Sequence, residues 1–184
     1  MNKTRSAVAL VLFFLVACGS SGPGDPGNPG NPGNPGNPGD PGNCATGCVR
    51  GYQCMSNACT LNPSGLWKLT VTSGTVATQN QSGSAWDAFG GAPDPMVCLT
   101  INGIRSCTTT KQDTFTPSWN ESFASATSTA LLTGITVEFV DVDLTSNDSI
   151  CAPGVVPVSQ QNFLGGTWGA TCTSSSLQAT LTAQ

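Results

Sequence analysis

The sequence has no histidine and few charged residues, and both absences narrow the functions open to it. Without histidine, the chain has no Ser-His-Asp or Cys-His catalytic set and no histidine-ligated zinc. Only six Lys and Arg residues stand against ten acidic ones, giving a net charge of −4, whereas nucleic-acid binding needs clustered basic residues. The composition therefore excludes a histidine-dependent enzyme and argues against a nucleic-acid-binding protein.

The first 17 residues have the pattern of an export signal. Lys3 and Arg5 precede the run AVALVLFFLVA at positions 7–17, which is too short to cross a bilayer but fits the apolar region of a secretory signal. The run ends in LVAC, which resembles the bacterial lipoprotein signal. This resemblance implies lipid attachment at Cys18 and an anchored protein of the bacterial cell envelope, in the outer membrane and exposed at the cell surface. Ordinary cleavage near Ala17, with Cys18 left free, is the alternative.

Residues 18–43 are predicted to form a tether. Glycine occupies every third position from Gly24 to Gly42, with proline and asparagine between. The period matches collagen, but about six triplets are too few for a stable triple helix. A turn-rich, partly extended spacer is the better interpretation, and twenty residues at about 3.1 Å each would reach about 60 Å.

A small disulfide module is predicted at residues 44–62. Eight of the nine cysteines remain once Cys18 is set aside, and an even number in an exported chain favours disulfides. Four of them fall within about sixteen residues, which cannot bury a core, so two bridges are expected to hold the segment together. Three pairings are possible, and we favour Cys44–Cys54 with Cys48–Cys59. A zinc site of four thiolates is the alternative.

A β-hairpin is predicted in the segment CLTINGIRSC, residues 98–107. Its central Asn-Gly favours a two-residue turn, which places Cys98 opposite Cys107 in a pair without mutual hydrogen bonds, with Cα atoms about 4.5 Å apart. The apolar neighbours on the first strand alternate to the other face, so this bridge should lie on the solvent side. Cys151 and Cys172 then pair by elimination.

Residues 63–184 are predicted to form an all-β domain. The segments WKLTVTS and GITVEFV alternate apolar and polar residues with a period of two, and TWGATCT and LQATLTA are rich in β-prone threonine. Glycine, proline and asparagine separate these short runs, which favours an antiparallel sandwich of eight strands. No segment predicts a helix.

Five of the eight acidic residues of this domain fall in two loops, WDAFGGAPDP (86–95) and VDVDLTSND (140–148). Two carboxylates 4 Å apart repel by about 4 kcal/mol at an effective dielectric near 20. A hard cation relieves such repulsion, and Ca²⁺ takes about six to eight oxygen ligands. The five residues are Asp87, Asp94, Asp141, Asp143 and Asp148.

Three motifs in order resemble the C2 domain: WDAFGGAPDPMVCL, DTFTPSWNESF and VEFVDVDLTSNDSIC. The resemblance covers about 120 residues and implies an eight-stranded C2-like β-sandwich in the circularly permuted strand order. It also implies that the two acidic loops meet at one end and bind calcium through these five aspartates, with the backbone carbonyls of Trp86 and Val142 as added ligands. Asp113 lies outside both loops and is expected to take no part.

The expected function is calcium-dependent contact with anionic phospholipid or a surface polymer, without enzymatic activity. Phe89 and Leu144 are apolar residues flanked by candidate ligands and are the expected membrane contacts. A carboxylate pair could serve a glycosidase, but the acids cluster where a cation fits and no nucleophile motif is present. The alternative is that calcium is purely structural and the domain displays the cysteine module to a protein partner.

Overall fold

The computed structural model describes residues 41–87 and 91–184. The predictions for the signal segment, Cys18, Phe89 and the tether up to residue 40 therefore lie outside the described residues, whereas the last two tether residues, Gly42–Asn43, form the first strand. The strands are β1 (Gly42–Asn43), β2 (Gly47–Cys48), β3 (Tyr52–Met55), β4 (Ala58–Leu61), β5 (Leu66–Thr75), β6 (Pro95–Ile101), β7 (Ile104–Cys107), β8 (Ser118–Ser122), β9 (Ala126–Thr127), β10 (Ile135–Asp141), β11 (Asp148–Val156), β12 (Thr167–Cys172) and β13 (Ser175–Ala183). The helices are α1 (Ser128–Leu132) and α2 (Gln160–Gly165).

Two antiparallel sheets form the predicted all-β sandwich. One has the strand order β11-β10-β6-β7 and the other the order β12-β13-β5-β8. The short strand β9 pairs with the beginning of β5, next to the segment that β8 pairs with. The last strand, β13, lies beside β5, the first strand of the sandwich, which is the arrangement expected of the permuted order.

The core lies between the sheets and follows the predicted alternation. On β5 the buried residues are Trp67, Leu69 and Val71. On β10 every second side chain from Ile135 onwards is buried, and the last of this series is Asp141. The same period of two that builds the core therefore carries one carboxylate into the interior at the end of the strand.

Two short helices correct the expectation that the domain has none. Helix α1 begins after Thr127, whose hydroxyl accepts a hydrogen bond from the Ala130 N–H. Helix α2 begins with a capping box at Ser159. Each helix buries one apolar side chain in the core, Leu131 and Phe163 respectively. Five or six residues are too few to show a 3.6-residue period, so capping rather than periodicity defines them. Neither helix in the described residues has the length and apolarity needed to cross a membrane.

The four disulfides join the cysteine pairs predicted from the sequence: Cys44–Cys54, Cys48–Cys59, Cys98–Cys107 and Cys151–Cys172. The hairpin pair has a Cα–Cα distance of 4.0 Å. Its solvent-side placement is right for the exposed Cys107 but wrong for Cys98, which is only 1% exposed. Cys107 lies on the edge strand β7, whereas Cys98 lies on β6, which has β10 on its other side. Cys151–Cys172 connects β11 to β12, the edge strands of different sheets.

The cysteine module packs against the beginning of β5. Gly51 has a φ of +86°, and a Cβ at this position would overlap the indole ring of Trp67. The ring of Tyr52 meets the same indole edge-on at 6.5 Å. Ser128 links the two parts, since its hydroxyl donates to the Asn62 carbonyl (2.7 Å) and accepts from the Trp67 indole N–H (3.0 Å). The module is therefore fixed to the sandwich by both packing and hydrogen bonds.

Candidate metal centre

Three loops meet at the end of the sandwich away from the cysteine module. Strand β5 begins beside the module and ends at Thr75, and ten residues of strand span about 33 Å. The loops are those between β5 and β6, between β7 and β8, and between β10 and β11, referred to below as loops 1, 2 and 3. Because β6 pairs antiparallel with both β7 and β10, these loops open at the same end.

Asp141 is the buried carboxylate of this end, with a relative exposure of 0%. Its Oδ1 accepts from the Asp94 N–H (2.5 Å), whereas its Oδ2 has no hydrogen-bond partner among the described residues. Burial raises the pKa of Asp141 to about 6, and the charges of Asp143, Asp87 and Asp94 add to the increase against the lowering effect of the Asp94 N–H. A buried carboxylate oxygen without a partner is costly, so this atom is a candidate ligand for a cation.

Three carboxylates, including that of Asp141, come together at this end of the sandwich. Asp87, Asp141 and Asp143 each offer an oxygen, and these oxygens lie within 4.8 Å of one another. Partial burial, followed by the charges of Asp143, Asp94 and Asp113, raises the pKa of Asp87. Repulsion between the carboxylates thus adds to the effect of burial on both pKa values.

Two of these carboxylates, Asp87 and Asp143, line a cavity of about 440 Å³, whereas Asp141 is buried and does not line it. Hydrogen bonds from the backbone hold its walls together: Asp94 accepts at its carbonyl from the Val142 N–H (3.0 Å) and at its Oδ1 from the Asp113 N–H (2.7 Å). Asp94 thus connects loops 1, 2 and 3. The lining residues are Asp87, Gly91, Asp94, Asp113, Val142, Asp143, Leu144 and Thr145.

Glycine and tryptophan give loop 1 its shape. A Cβ at Gly91 would lie 2.9 Å from the Asp87 Cβ, so only glycine lets the chain pass this close to the carboxylate. Trp86 is buried, and its indole N–H donates to the Ala77 carbonyl (2.7 Å). Asp87, the next residue, is therefore held at the cavity by a fixed neighbour.

Most of the predicted site residues lie at the cavity. Asp148, which was predicted, does not line it, whereas Asp113, which was not predicted, does. Asp87, Asp94, Asp143 and Val142 line it. The buried Asp141 contacts this group through the Asp94 N–H, and Trp86 precedes Asp87 in the chain. Asp148 begins β11 as an exposed residue and belongs neither to the three-carboxylate cluster nor to the cavity lining.

Asp113, for which we expected no role, does line the cavity. That expectation considered only the two loops with several acids, whereas the antiparallel order brings loop 2 to the same end. The predicted hairpin already indicated this, because its second strand, β7, ends opposite the beginning of β6 and so places loop 2 beside loop 1.

The described surface around the cavity has one prominent apolar residue. Leu144 lies in loop 3 and is fully exposed. Lys111 of loop 2 is paired with Glu121, with 3.6 Å between Nζ and Oε1. Its positive charge is thus already partly neutralised.

A two-sheet antiparallel sandwich with an acidic cavity between its end loops defines the class of this domain. The family model described as C2 domain matches residues 68–169, more than half of the 184 residues. The chain belongs to the C2 domain family. No curated protein gives a significant match to the chain.

Solved structures of C2-containing proteins share the fold at low sequence identity. A single C2 domain of plant extended synaptotagmin 1 is 17% identical with a TM-score of 0.47, covering 67% of this chain and 96% of that one. A structure of extended synaptotagmin 2 with its SMP domain and a pair of C2 domains is 15% identical with a TM-score of 0.50, covering 66% and 27%. Human GIVD cytosolic phospholipase A2 is 19% identical with a TM-score of 0.46, covering 65% and 17%. This chain thus spans less than a third of the latter two, and the similarity concerns the sandwich fold alone.

Proposed function

We propose that the cavity binds calcium. The observation that carries this proposal is the unpartnered Oδ2 of the fully buried Asp141, a residue that offers a carboxylate oxygen within 4.8 Å of oxygens of Asp87 and Asp143. The side-chain donors are hard oxygens, the ligands that Ca²⁺ and Mg²⁺ prefer. A wide cavity formed by separate loops suits the flexible, higher coordination of Ca²⁺ better than the strict octahedron of Mg²⁺. Asp94 and the backbone carbonyls of Trp86 and Val142 would complete the ligand set.

Bound calcium would turn this end of the domain into an anion-binding surface. The calcium-free cavity is lined by four aspartates, which repel phosphate and carboxylate groups. The nearby Lys111 is already paired with Glu121, so the positive charge for an anionic ligand has to come from the ion. The exposed Leu144 beside the cavity adds an apolar group that can enter a lipid interface. We therefore propose calcium-dependent contact with anionic phospholipid or an anionic surface polymer, without catalysis.

The partner surface is proposed to be one other than the membrane that carries the anchor. Lipid attachment at Cys18 in an outer membrane would place the tether at the chain's N-terminal side, where the cysteine module packs against the beginning of β5. The cavity lies at the opposite end of the same strand. A protein already anchored in one membrane gains little from a second weak contact with it, which favours contact with another cell's surface or a matrix polymer.

The test is sedimentation of the mature protein with vesicles of phosphatidylserine and phosphatidylcholine, in millimolar calcium and in chelator, beside melting curves under both conditions. We expect calcium to raise the melting temperature and to be required for sedimentation. A melting temperature that is the same in calcium and in chelator would contradict the proposed metal site. A calcium-dependent melting temperature without vesicle or cell-envelope binding would instead support the purely structural role of the ion and the display of the cysteine module.

A further inference from the structure

Ser175 is a buried serine outside the acidic cavity, and its hydroxyl contacts the beginning of loop 1. It is the first residue of β13 and is only 5% exposed. The next residue, Ser176, pairs with Thr75, the last residue of β5, so β13 begins beside the point where loop 1 leaves its strand. Ser175 Oγ accepts a hydrogen bond from the Ala77 N–H (3.0 Å). The hydroxyl therefore holds the backbone of loop 1 close to its origin.

Ala77 in turn holds Trp86. The Ala77 carbonyl accepts from the Trp86 indole N–H (2.7 Å), so both backbone polar groups of Ala77 are bonded. Between these two residues the chain turns back on itself, and the Asn80 N–H donates to the Ser84 carbonyl (2.9 Å). Trp86 is part of the buried core, and the residue that follows it is Asp87. Two hydrogen bonds, referred to below as the Ser175–Ala77–Trp86 link, thus fix the neighbour of this carboxylate.

The position of loop 1 determines whether the carboxylate cluster is complete. Asp87 belongs to loop 1, whereas Asp141 ends β10 in the other sheet and Asp143 follows it. Oxygens of these three residues lie within 4.8 Å of one another. Metal ligands must be held to within about 0.5 Å of the productive geometry. A small shift of loop 1 relative to β10 would therefore separate Asp87 from the other two carboxylates.

We propose that Ser175 is a positioning residue of the calcium site and acts on Asp87 through the two hydrogen bonds of Ala77. The inference rests on the proposed calcium binding, and it adds an uncharged residue that does not line the cavity. Without the hydroxyl, the Ala77 N–H loses its partner and loop 1 can shift. Removing a group that orients a metal ligand typically costs 10–100-fold in affinity. Ser175 acts at one further remove, so we expect a loss of about tenfold, the lower end of that range.

Calorimetric titration of calcium into the mature protein at pH 7 tests this role, with Ser175→Ala and Ser176→Ala as matched variants. Each change removes one serine hydroxyl at the beginning of β13. The Ser176 hydroxyl is hydrogen-bonded to that of Thr75 (2.8 Å), but it lies on the opposite face of the strand and does not hold loop 1. We expect Ser175→Ala to weaken calcium binding about tenfold and Ser176→Ala to bind calcium like the wild type.

A second substitution tests the link from its other end. Trp86→Phe removes the indole N–H that donates to Ala77, so it should weaken calcium binding to a similar extent, and it decides the matter if Ser175→Ala does not fold. The double variant should lose little more affinity than either single one, because both changes break the same link. The melting temperature in chelator is measured for every variant, since lower stability alone does not change the calcium affinity of the folded protein.

The outcomes distinguish the role of Ser175 from the proposed function. No calcium uptake by the wild type would overturn both. Wild-type calcium affinity in Ser175→Ala and Trp86→Phe, even with a lower melting temperature in chelator, would make the serine purely structural and leave calcium binding standing. An equal loss of affinity in Ser176→Ala would overturn the specific connection to loop 1. Losses that add fully in the double variant would overturn the shared link through Ala77.

Discussion

Replacing Asp141 with asparagine should stabilise the calcium-free protein at pH 7 and remove its stabilisation by calcium. The folded-state pKa of Asp141 is about 6, above its ordinary value of 3.8, so the folded protein holds this proton more tightly than the unfolded chain. The stability contributed by the protonated group is therefore fully present below about pH 4 and is lost as the pH rises through 6. Asparagine resembles the protonated acid in charge and shape, and its carbonyl can still accept from the Asp94 N–H.

The magnitudes predict a reversal in the order of stability. A difference of about two pH units in pKa corresponds to up to about 3 kcal/mol, by which Asp141→Asn should exceed the wild type in chelator at pH 7. Calcium stabilises the wild type by about 2.7 kcal/mol at a hundred times the dissociation constant and by about 4.1 kcal/mol at a thousand times. The two proteins should therefore be about equally stable at the lower calcium concentration, and the wild type should be more stable by about 1 kcal/mol at the higher one.

Urea unfolding in chelator and at two calcium concentrations measures this order, and unfolding in metal-free buffer between pH 4 and pH 7 measures the titration. The stability of the wild type should decline across that pH range more steeply than that of Asp141→Asn. Asp148→Asn, a change at an exposed position outside the cavity, should follow the wild type throughout. If Asp141→Asn were less stable than the wild type in chelator at pH 7, the reasoning would fail, because the buried charge would then be favourable without a cation.

Three further predictions concern other parts of the molecule. Gly51→Ala should destabilise the protein by more than the roughly 1 kcal/mol expected for backbone strain alone, because the added Cβ would overlap the indole ring of Trp67. Gly83→Ala is the control, since Gly83 has a similar φ but lies in open space. Equal losses of stability in urea unfolding would contradict this prediction. Replacing Cys151 and Cys172 together by alanine should lower stability by about 3 kcal/mol, since the bridge closes a loop of 21 residues, and an unchanged urea midpoint would refute it. Leu144→Ser should weaken calcium-dependent vesicle binding by about tenfold or more with calcium affinity unaltered, and undiminished sedimentation would exclude its insertion into lipid.

The hairpin shows how much of the fold local sequence can predict. Asn102 and Gly103 both have positive φ angles, 50° and 78°, as a two-residue hairpin turn requires. The turn sets the register, and the register alone places Cys98 opposite Cys107. The alternation along β5 and β10 was equally local, and it predicted the burial of their apolar side chains. In these segments the turn residues and the two-residue alternation depend only on nearby sequence, so the local sequence was sufficient to predict the register and the buried face.

The site was predictable only as far as each loop could be considered separately. Asp87, Asp94, Asp141 and Asp143 were found because acids cluster within loops 1 and 3. Membership of the cavity depends instead on which loops are neighbours and on where a strand begins. Asp148 starts β11 as an exposed residue, although it is close to Asp143 in sequence.

Asp113 shows the reverse effect, because a single acid in loop 2 becomes a cavity residue through tertiary proximity. The burial of Cys98 was missed for a similar reason, since a strand pairing on both sides is not visible in the hairpin itself. Both corrections follow from the order of strands in the sheet rather than from the local sequence.

The disulfide between β11 and β12 has a mechanical consequence. Asp141 and Asp143 are anchored to the sheet that contains β10, whereas the cysteine module is fixed to the other sheet through β5. If a surface held the calcium end while the tether pulled at Pro41, the tension would tend to slide one sheet past the other. The backbone ladders of the strands run within each sheet, so resistance to such sliding comes mainly from side-chain contacts between the two layers. The bond from Cys151 to Cys172 joins the two layers directly, so it would limit this displacement and help preserve the arrangement of the end loops under load.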